Sequence, residues 1–401
     1  SIAIGYQAGF LQVSAGSAGD DTGNTMIGHQ AQRFNETGTN NTYLGYKSGY
    51  GASGGNNSNN TGIGKSALVA ITSGAQNLSL GYNSGESLTS GSNNTLVGAN
   101  AGKGFDTESE VTAVGKDAFS GAGAAVGVTV LGYQAMKANT TTGANYSLAV
   151  GHSALTALTS GAGNTAVGYK ALDSCVDGDW NTAIGWQTLQ NMVSGDRNTA
   201  IGYQSLYDNN EDAVNSNTAV GYRSGFGITT GIQNVAIGDS TMSGVCVADG
   251  NVAVGYGSGY AITDGGYNTL VGLNSGVALT TGDQNVFIGS SAGHSTTDVD
   301  YAVCIGNNAG IMDMTSAADG TVAIGTSALR NLTSGAGNIA IGFEAALSAT
   351  DNTANTIIGY QAFRAADAGE HYNVIIGGSA GGSINDAGAD KNVLIGKDAG
   401  T

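Results

Sequence analysis

Tyr169, Trp186 and Tyr203 stand seventeen residues apart, and each directly follows a glycine that itself follows an aliphatic residue. Tyr46, Tyr82, Tyr133, Tyr222, Phe343 and Tyr360 occupy the same place elsewhere. Rings held at a fixed interval on a regular scaffold form a ladder, and an exposed ladder can stack on the apolar faces of sugars. Tyrosine also suits the half-buried end of a strand, so packing between neighbouring coils or chains accounts for the same column. Tyr169, Trp186 and Tyr203 are the candidate surface-binding residues, with a cell-surface glycan or receptor as the ligand.

Other reactive side chains are thinly spread. His29 and His152 fall in the post-glycine place and read as replaced aromatics, while His294 and His371 lie elsewhere in the repeat, so no Ser–His–Asp set can be nominated. Cys175, Cys246 and Cys304 are odd in number and lack CxxC spacing, which indicates neither a disulfide framework nor a zinc site. Carboxylates gather at Asp20–Asp21, at Asp177 and Asp179, and at Asp298 and Asp300. Calcium needs six or more converging oxygens, and no EF-hand or calcium-roll pattern is present. These turns read as solvated. Sequons such as those at Asn139 and Asn331 arise by chance in a chain this rich in Asn, Ser and Thr. The expectation is a chain that is not an enzyme, with no catalytic residue, no cofactor and no metal.

Composition narrows the partners. Charged residues make up 11% of the 401 positions, against about 25% in ordinary globular domains. The formal net charge is −17, and the 13 Lys and Arg are scattered singly, which disfavours nucleic acid. No run of eighteen apolar residues exists, so membrane insertion is not expected. Gly takes 68 positions and Pro none, yet 40% of residues are apolar and fall at fixed intervals, so a core can be buried.

What must position the rings is the repeat itself. Alignment on the glycine after the aliphatic residue gives 23 repeats; of the 22 intervals, fifteen are 17 residues, five are 19, one is 18 and one is 23. Every residue before this repeat glycine is Ile, Val or Leu, and three residues after it stands Ala, Ser or Thr. Alternation in "TAIGW" puts Thr182, Ile184 and Trp186 on one face and Ala183 and Gly185 on the other, as in a strand. The aliphatic column reads as core, and the Ala/Gly face as bare enough to accept another backbone. About seven residues after the glycine a second aliphatic residue recurs (Ile71, Leu88, Leu158, Met192, Ile228, Ile262, Leu279, Leu332), which predicts a second inward strand. Asn precedes the first strand in 17 of the 23 repeats, and stacked Asn can hydrogen-bond along a ladder. The fold class expected is all-β: a parallel β-solenoid (β-roll) of about 23 coils with a mainly 17-residue period, running through 1–401 as one continuous repeat region. The chain opens and stops inside repeats, which reads as a segment of a longer fibre.

"NTAIGYQSL", Asn198 to Leu206, and its copies resemble the head repeats of trimeric autotransporter adhesins and, more closely, the repeat arrays of bacteriophage tail fibres. The resemblance covers essentially the whole chain. It implies a left-handed roll, three chains about one axis, and an extracellular place on a virion appendage or a bacterial cell surface. With the bare Ala/Gly face it points to a homotrimer. The expected function is the structural shaft of an extracellular fibre that contributes to host or surface attachment; the alternative is a glycan-binding adhesin using its aromatic ladder. Ice binding by ranks of Thr is disfavoured, because Thr shares its column with Val and Ile.

Overall fold

Each repeat builds one three-residue strand that ends at the aliphatic residue before the repeat glycine, as in Thr165–Val167, Thr182–Ile184 and Val235–Ile237. The computed structural model describes all residues except 14–21, 122, 124, 139–142, 210–215 and 387. Asp20–Asp21, the Asn139 sequon and the middle of the turn between Tyr207 and Asn217 lie outside the described residues. The chain forms two compact units, one of Ser1–Asn198 and one of Thr199–Asn209 with residues 216–401. Among the described residues the first holds eleven strands and the second twelve, alongside a single 3-10 turn at Ser316–Ala318.

Successive strands pair in parallel without register shift: Ala166 faces Ala183 in the first unit, and Ala236 faces Ala253 in the second. The ladder is closed by backbone bonds such as Gly168 N–H to the Val150 carbonyl at 2.8 Å and Gly255 N–H to the Ile237 carbonyl at 2.8 Å. Both units are parallel β-solenoids with the expected period. All-β architecture and repeat length were legible; strand number and facing were not.

The second inward strand does not form. After Gly168, at φ 142°, Lys170 and Leu172 take φ 54° and 53°, and the chain enters left-handed backbone twice within five residues. Extended pairing cannot run through such turns. Ile71, Leu158, Ile228 and Leu279 are fully buried, as a core reading requires, but they sit in turns linked at most by isolated bridges such as Ile228 to Cys246.

Facing is also inverted. The alternation holds, but Ala183 is buried while Ile184 is 38% exposed. The aliphatic column is therefore the outer face of the isolated chain, and the Ala face is interior to its own coil and cannot receive another chain's backbone. The physical reason is a narrow coil whose middle-strand residue shares one slot with the residue four after the repeat glycine. Where the strand carries Ala, as at Ala166, Ala183 and Ala323, the second place carries Leu172, Leu189 or Leu329. Where it carries Tyr43, Leu96, Leu270 or Phe287, the second place is Gly49, Gly102, Gly276 or Gly293, and a Cβ added at Gly49 or Gly293 would run into the ring of Tyr43 or Phe287. The exchange of volume holds in these coils, while Ala219 stands with Gly225 and Ala253 with Gly259, both places small, and Ile357 with Phe363, both large and buried.

Small residues three after the glycine complete the interior. Ser205 Oγ donates to the Ala219 carbonyl at 3.0 Å and Ser258 Oγ to the Leu270 carbonyl at 2.9 Å, tying each turn to the next strand.

The asparagine ladder forms as expected. Asn251 is fully buried; its N–H donates to Asn234 Oδ1 at 2.9 Å and its Nδ2 to the Gly265 carbonyl at 3.0 Å, while its Oδ1 accepts the Asn268 N–H at 3.0 Å. Asn251→Ala leaves the Asn268 N–H and the Gly265 carbonyl buried without partners. Orphaned groups of this kind give a loss of about 2–4 kcal/mol. Urea unfolding of the variant measures it, and an unchanged midpoint would mean the ladder contributes nothing to stability.

Candidate functional site: an aromatic and cationic surface

The repeat glycine turns the chain out of the strand, and the next residue stands on the outer face beside the aliphatic column. In the first unit His152, Tyr169 and Trp186 form a continuous row: the His152 and Tyr169 rings are tilted at 39° with centres 5.4 Å apart, and those of Tyr169 and Trp186 stack 4.2 Å apart at 26° between planes. Tyr203 belongs to the second unit, where it stacks on Tyr222 at 5.2 Å and 9°. Phe343 and Tyr360 repeat the arrangement at 5.3 Å. Tyr169 and Trp186 are thus brought together, and the ring partner of Tyr203 is Tyr222.

Stacking changes what these rings can do. A sugar needs an open ring face for C–H contact. Tyr169 has one face against His152 and the other against Trp186. Such rings offer edges and hydroxyls, with open faces left to the ends of each stack.

His29 fits the same column, between Tyr6 at 5.2 Å and Tyr46 at 5.3 Å. Both post-glycine histidines therefore act as aromatics, as their place predicted. His371 Nδ1 accepts the Thr353 N–H at 3.1 Å, and His294 Nδ1 lies 3.2 Å from Ser295 Oγ. All three cysteines are fully buried, and desolvation pushes the Cys175 and Cys304 thiols up to about 12 and that of Cys246 to about 11, so none is poised as a nucleophile.

Of the turn aspartates, Asp179, Asp298 and Asp300 are occupied by backbone N–H groups. Asp179 Oδ1 accepts the Ala162 N–H at 2.7 Å, and Asp196 Oδ1 accepts the Asp179 N–H at 2.7 Å. Asp283, Asp300 and Asp319 repeat this bond along the second unit, at 2.6 to 2.9 Å. Each caps the preceding coil, which is a structural duty. Among the described residues no three His, Cys, Asp or Glu side chains are grouped to hold a metal ion, and no helix is long and apolar enough to cross a membrane.

Sequence reading missed two features. Glu108 and Glu370 replace the usual small residue three before the asparagine column, and both are buried, which raises their carboxyls above the ordinary range. Glu370 Oε2 accepts Asn352 Nδ2 at 3.2 Å, while its Oε1 has no partner. The second is a set of cations held by rings. Arg33 lies 4.8 Å from the centre of Phe34, Lys47 lies 5.5 Å from Tyr46 and 5.1 Å from Tyr50, and Lys65 lies 5.5 Å from Tyr82. The visible signal was charge distribution. Residues 1–85 hold three cations (Arg33, Lys47, Lys65) against three acids (Asp20, Asp21, Glu36), so the whole net charge of −17 falls on residues 86–401.

Among known proteins, no family model matches the chain, and no curated protein sequence matches it.

Proposed function

We propose that the chain is a shaft segment of an extracellular fibre, on a virion appendage or a bacterial surface, in which three copies associate side by side through the outward aliphatic column. The observation that carries this reading is the column itself. Leu44, Leu80, Leu131 and Ile184 in the first unit, and Ile201, Ile237, Ile288 and Ile358 in the second, are each more than a third exposed. The other internal coils carry a half-buried aliphatic residue in the same place, and a stripe of that kind is more contiguous apolar surface than a soluble monomer ordinarily leaves in water. A second copy of the same face is the partner whose period matches it by construction. The acidic remainder of the surface suits a shaft that must not stick elsewhere. In this reading the chain performs no catalysis and takes no cofactor; its repeats supply length and stiffness.

Light scattering coupled to gel filtration is expected to give about three times the 39.6 kDa of one chain. Ile237→Asp with Ile288→Asp is expected to return the protein to monomers with its β-structure retained, because both side chains point away from the core of their own coil. A wild-type monomer at micromolar concentration would sink the association, and an intact trimer in the double variant would move the interface to another face.

A further inference from the structure

We propose that the first coils of the chain carry a binding surface for an acidic polysaccharide, centred on Lys47 and flanked by Arg33 and Lys65. The inference goes beyond the shaft role and does not depend on it.

Three observations meet there. The first is electrostatic: residues 86–401 carry the net charge of −17, so a polyanion is repelled along most of the chain and finds a balanced stretch only in residues 1–85. The second is how the cations are held. Lys103, Lys116, Lys170, Arg364 and Lys397 each have a carboxylate within 4.0 Å. Arg33, Lys47 and Lys65 make no ion pair among the described residues and lie against rings, as Arg197 and Arg223 do singly over Trp180 and Phe226, but here the three share a group of rings: Lys65 lies between Tyr46 at 6.0 Å and Tyr82 at 5.5 Å, and Arg33 donates through NH1 to the Tyr50 hydroxyl at 3.3 Å. A ring orders a cation without neutralising it, so the charge stays available to an incoming anion. The one described acid nearby in sequence, Glu36, accepts the Gly54 N–H at 2.8 Å and the Ser53 hydroxyl at 3.2 Å.

The third observation is spacing. Arg33, Lys47 and Lys65 come from three successive coils but stand five, two and one residues after the repeat glycine, and shared rings bring them together: Arg33 and Lys47 lie 5.9 and 5.1 Å from the centre of Tyr50, and Lys47 and Lys65 5.5 and 6.0 Å from that of Tyr46. A linear chain of uronic acids presents carboxylates and hydroxyls to such a group. Single-stranded nucleic acid also combines anions with stacking, but it needs open ring faces. Here His29 is covered on both faces by Tyr6 and Tyr46 at 5.2 and 5.3 Å, and Lys47 and Lys65 lie over Tyr46, so the free face of Tyr6 at the end of the stack is the one left uncovered by these groups. Besides that one face, what remains outward is edges and phenol hydroxyls, which hydrogen-bond sugars.

Titration of the full chain with polygalacturonate oligomers, at low and at physiological salt, tests the proposal, with dextran oligomers and oligothymidylate as comparison ligands. Wild type is expected to bind polygalacturonate in a salt-dependent manner and to ignore dextran. Lys47→Gln with Lys65→Gln is expected to weaken binding about tenfold and to flatten its salt dependence, while Lys47→Arg with Lys65→Arg retains it. Lys103→Gln, which removes a lysine paired to Glu86 at 3.4 Å, is expected to change nothing. Thermal melts of the variants should coincide with wild type, since these ammonium groups lie outside the core. Absence of polygalacturonate binding overturns the proposal. So do equal binding of dextran, tighter binding of oligothymidylate, or full affinity in the double glutamine variant.

Discussion

Gly342→Ala is expected to lower stability by about 3 kcal/mol or more, and Gly378→Ala, in the same unit, to leave it unchanged or raise it by about 0.5 kcal/mol. Gly342 is a repeat glycine at φ 143°, a backbone region that a residue with a Cβ enters only under strain. An added Cβ would also run into the carbonyl of Gly359, the repeat glycine of the next coil. That carbonyl cannot retreat, because the Gly359 N–H is bonded to the Ile341 carbonyl at 2.8 Å and Gly359 itself sits at φ 148°. Strain and clash therefore add. Gly378 stands in the post-glycine place where other coils carry rings, and a Cβ there meets nothing within 4 Å. Alanine at Gly378 narrows the unfolded ensemble at no cost to the folded one. Urea unfolding of both variants beside wild type measures the contrast. Because each coil contacts only its neighbours, Gly342→Ala should also broaden the transition by uncoupling the coils on either side. Equal midpoints for the two variants would show that the glycine column is not what sets the approach of successive coils.

These two glycines show how far the fold could be read from sequence. Period, strand position and the asparagine ladder are properties of register, and a fixed 17-residue interval displays them directly. Alternation in "TAIGW" likewise gave the parity of Thr182, Ile184 and Trp186 correctly. Parity does not say which side is inside. Ile184 is larger and more apolar than Ala183, so hydrophobicity alone placed it in the core, whereas the narrow coil admits Ala183 because Leu189 already fills the slot behind it. The second strand was misread for a related reason. Leu172 and Trp180 adopt φ 53° and 55°, which their residue types disfavour, and such backbone is imposed by neighbouring coils. Leu172, for example, donates its N–H to the Thr188 carbonyl at 3.0 Å. At the outer surface, the ring column was legible as a column, but its internal stacking depends on coil separation and ring tilt. The cation cluster around Lys47 was hidden because Arg33, Lys47 and Lys65 are fourteen and eighteen residues apart and look scattered until the coils are stacked.

Exchange of volume inside one coil should be reproducible by design. Phe287→Ala alone is expected to cost about 3–5 kcal/mol, as removal of a fully buried ring does. Gly293→Leu alone is expected to cost at least about 2 kcal/mol, since its first added carbon already meets the Phe287 ring and forces overpacking. Combined, the two changes convert this coil to the pattern of the coils holding Ala166 with Leu172 and Ala323 with Leu329, in which leucine occupies left-handed backbone at φ 53° and 46°. Gly293 already lies at φ 57°, so the incoming leucine inherits the conformation those residues use. The double variant should therefore be more stable than either single one, with a coupling of about 2 kcal/mol, in the range found for residues in direct contact. Some loss relative to wild type remains, because Leu270 and Cys304 in the adjoining coils pack against a ring at this height and would meet a branched chain instead. The measurement is a double-mutant cycle by urea unfolding with native strand content checked by circular dichroism. Additive losses would mean that the middle-strand residue and the residue four after the glycine fill separate spaces. The pairing of Ala with Leu, and of a large strand residue with Gly, would then need a cause other than a shared slot.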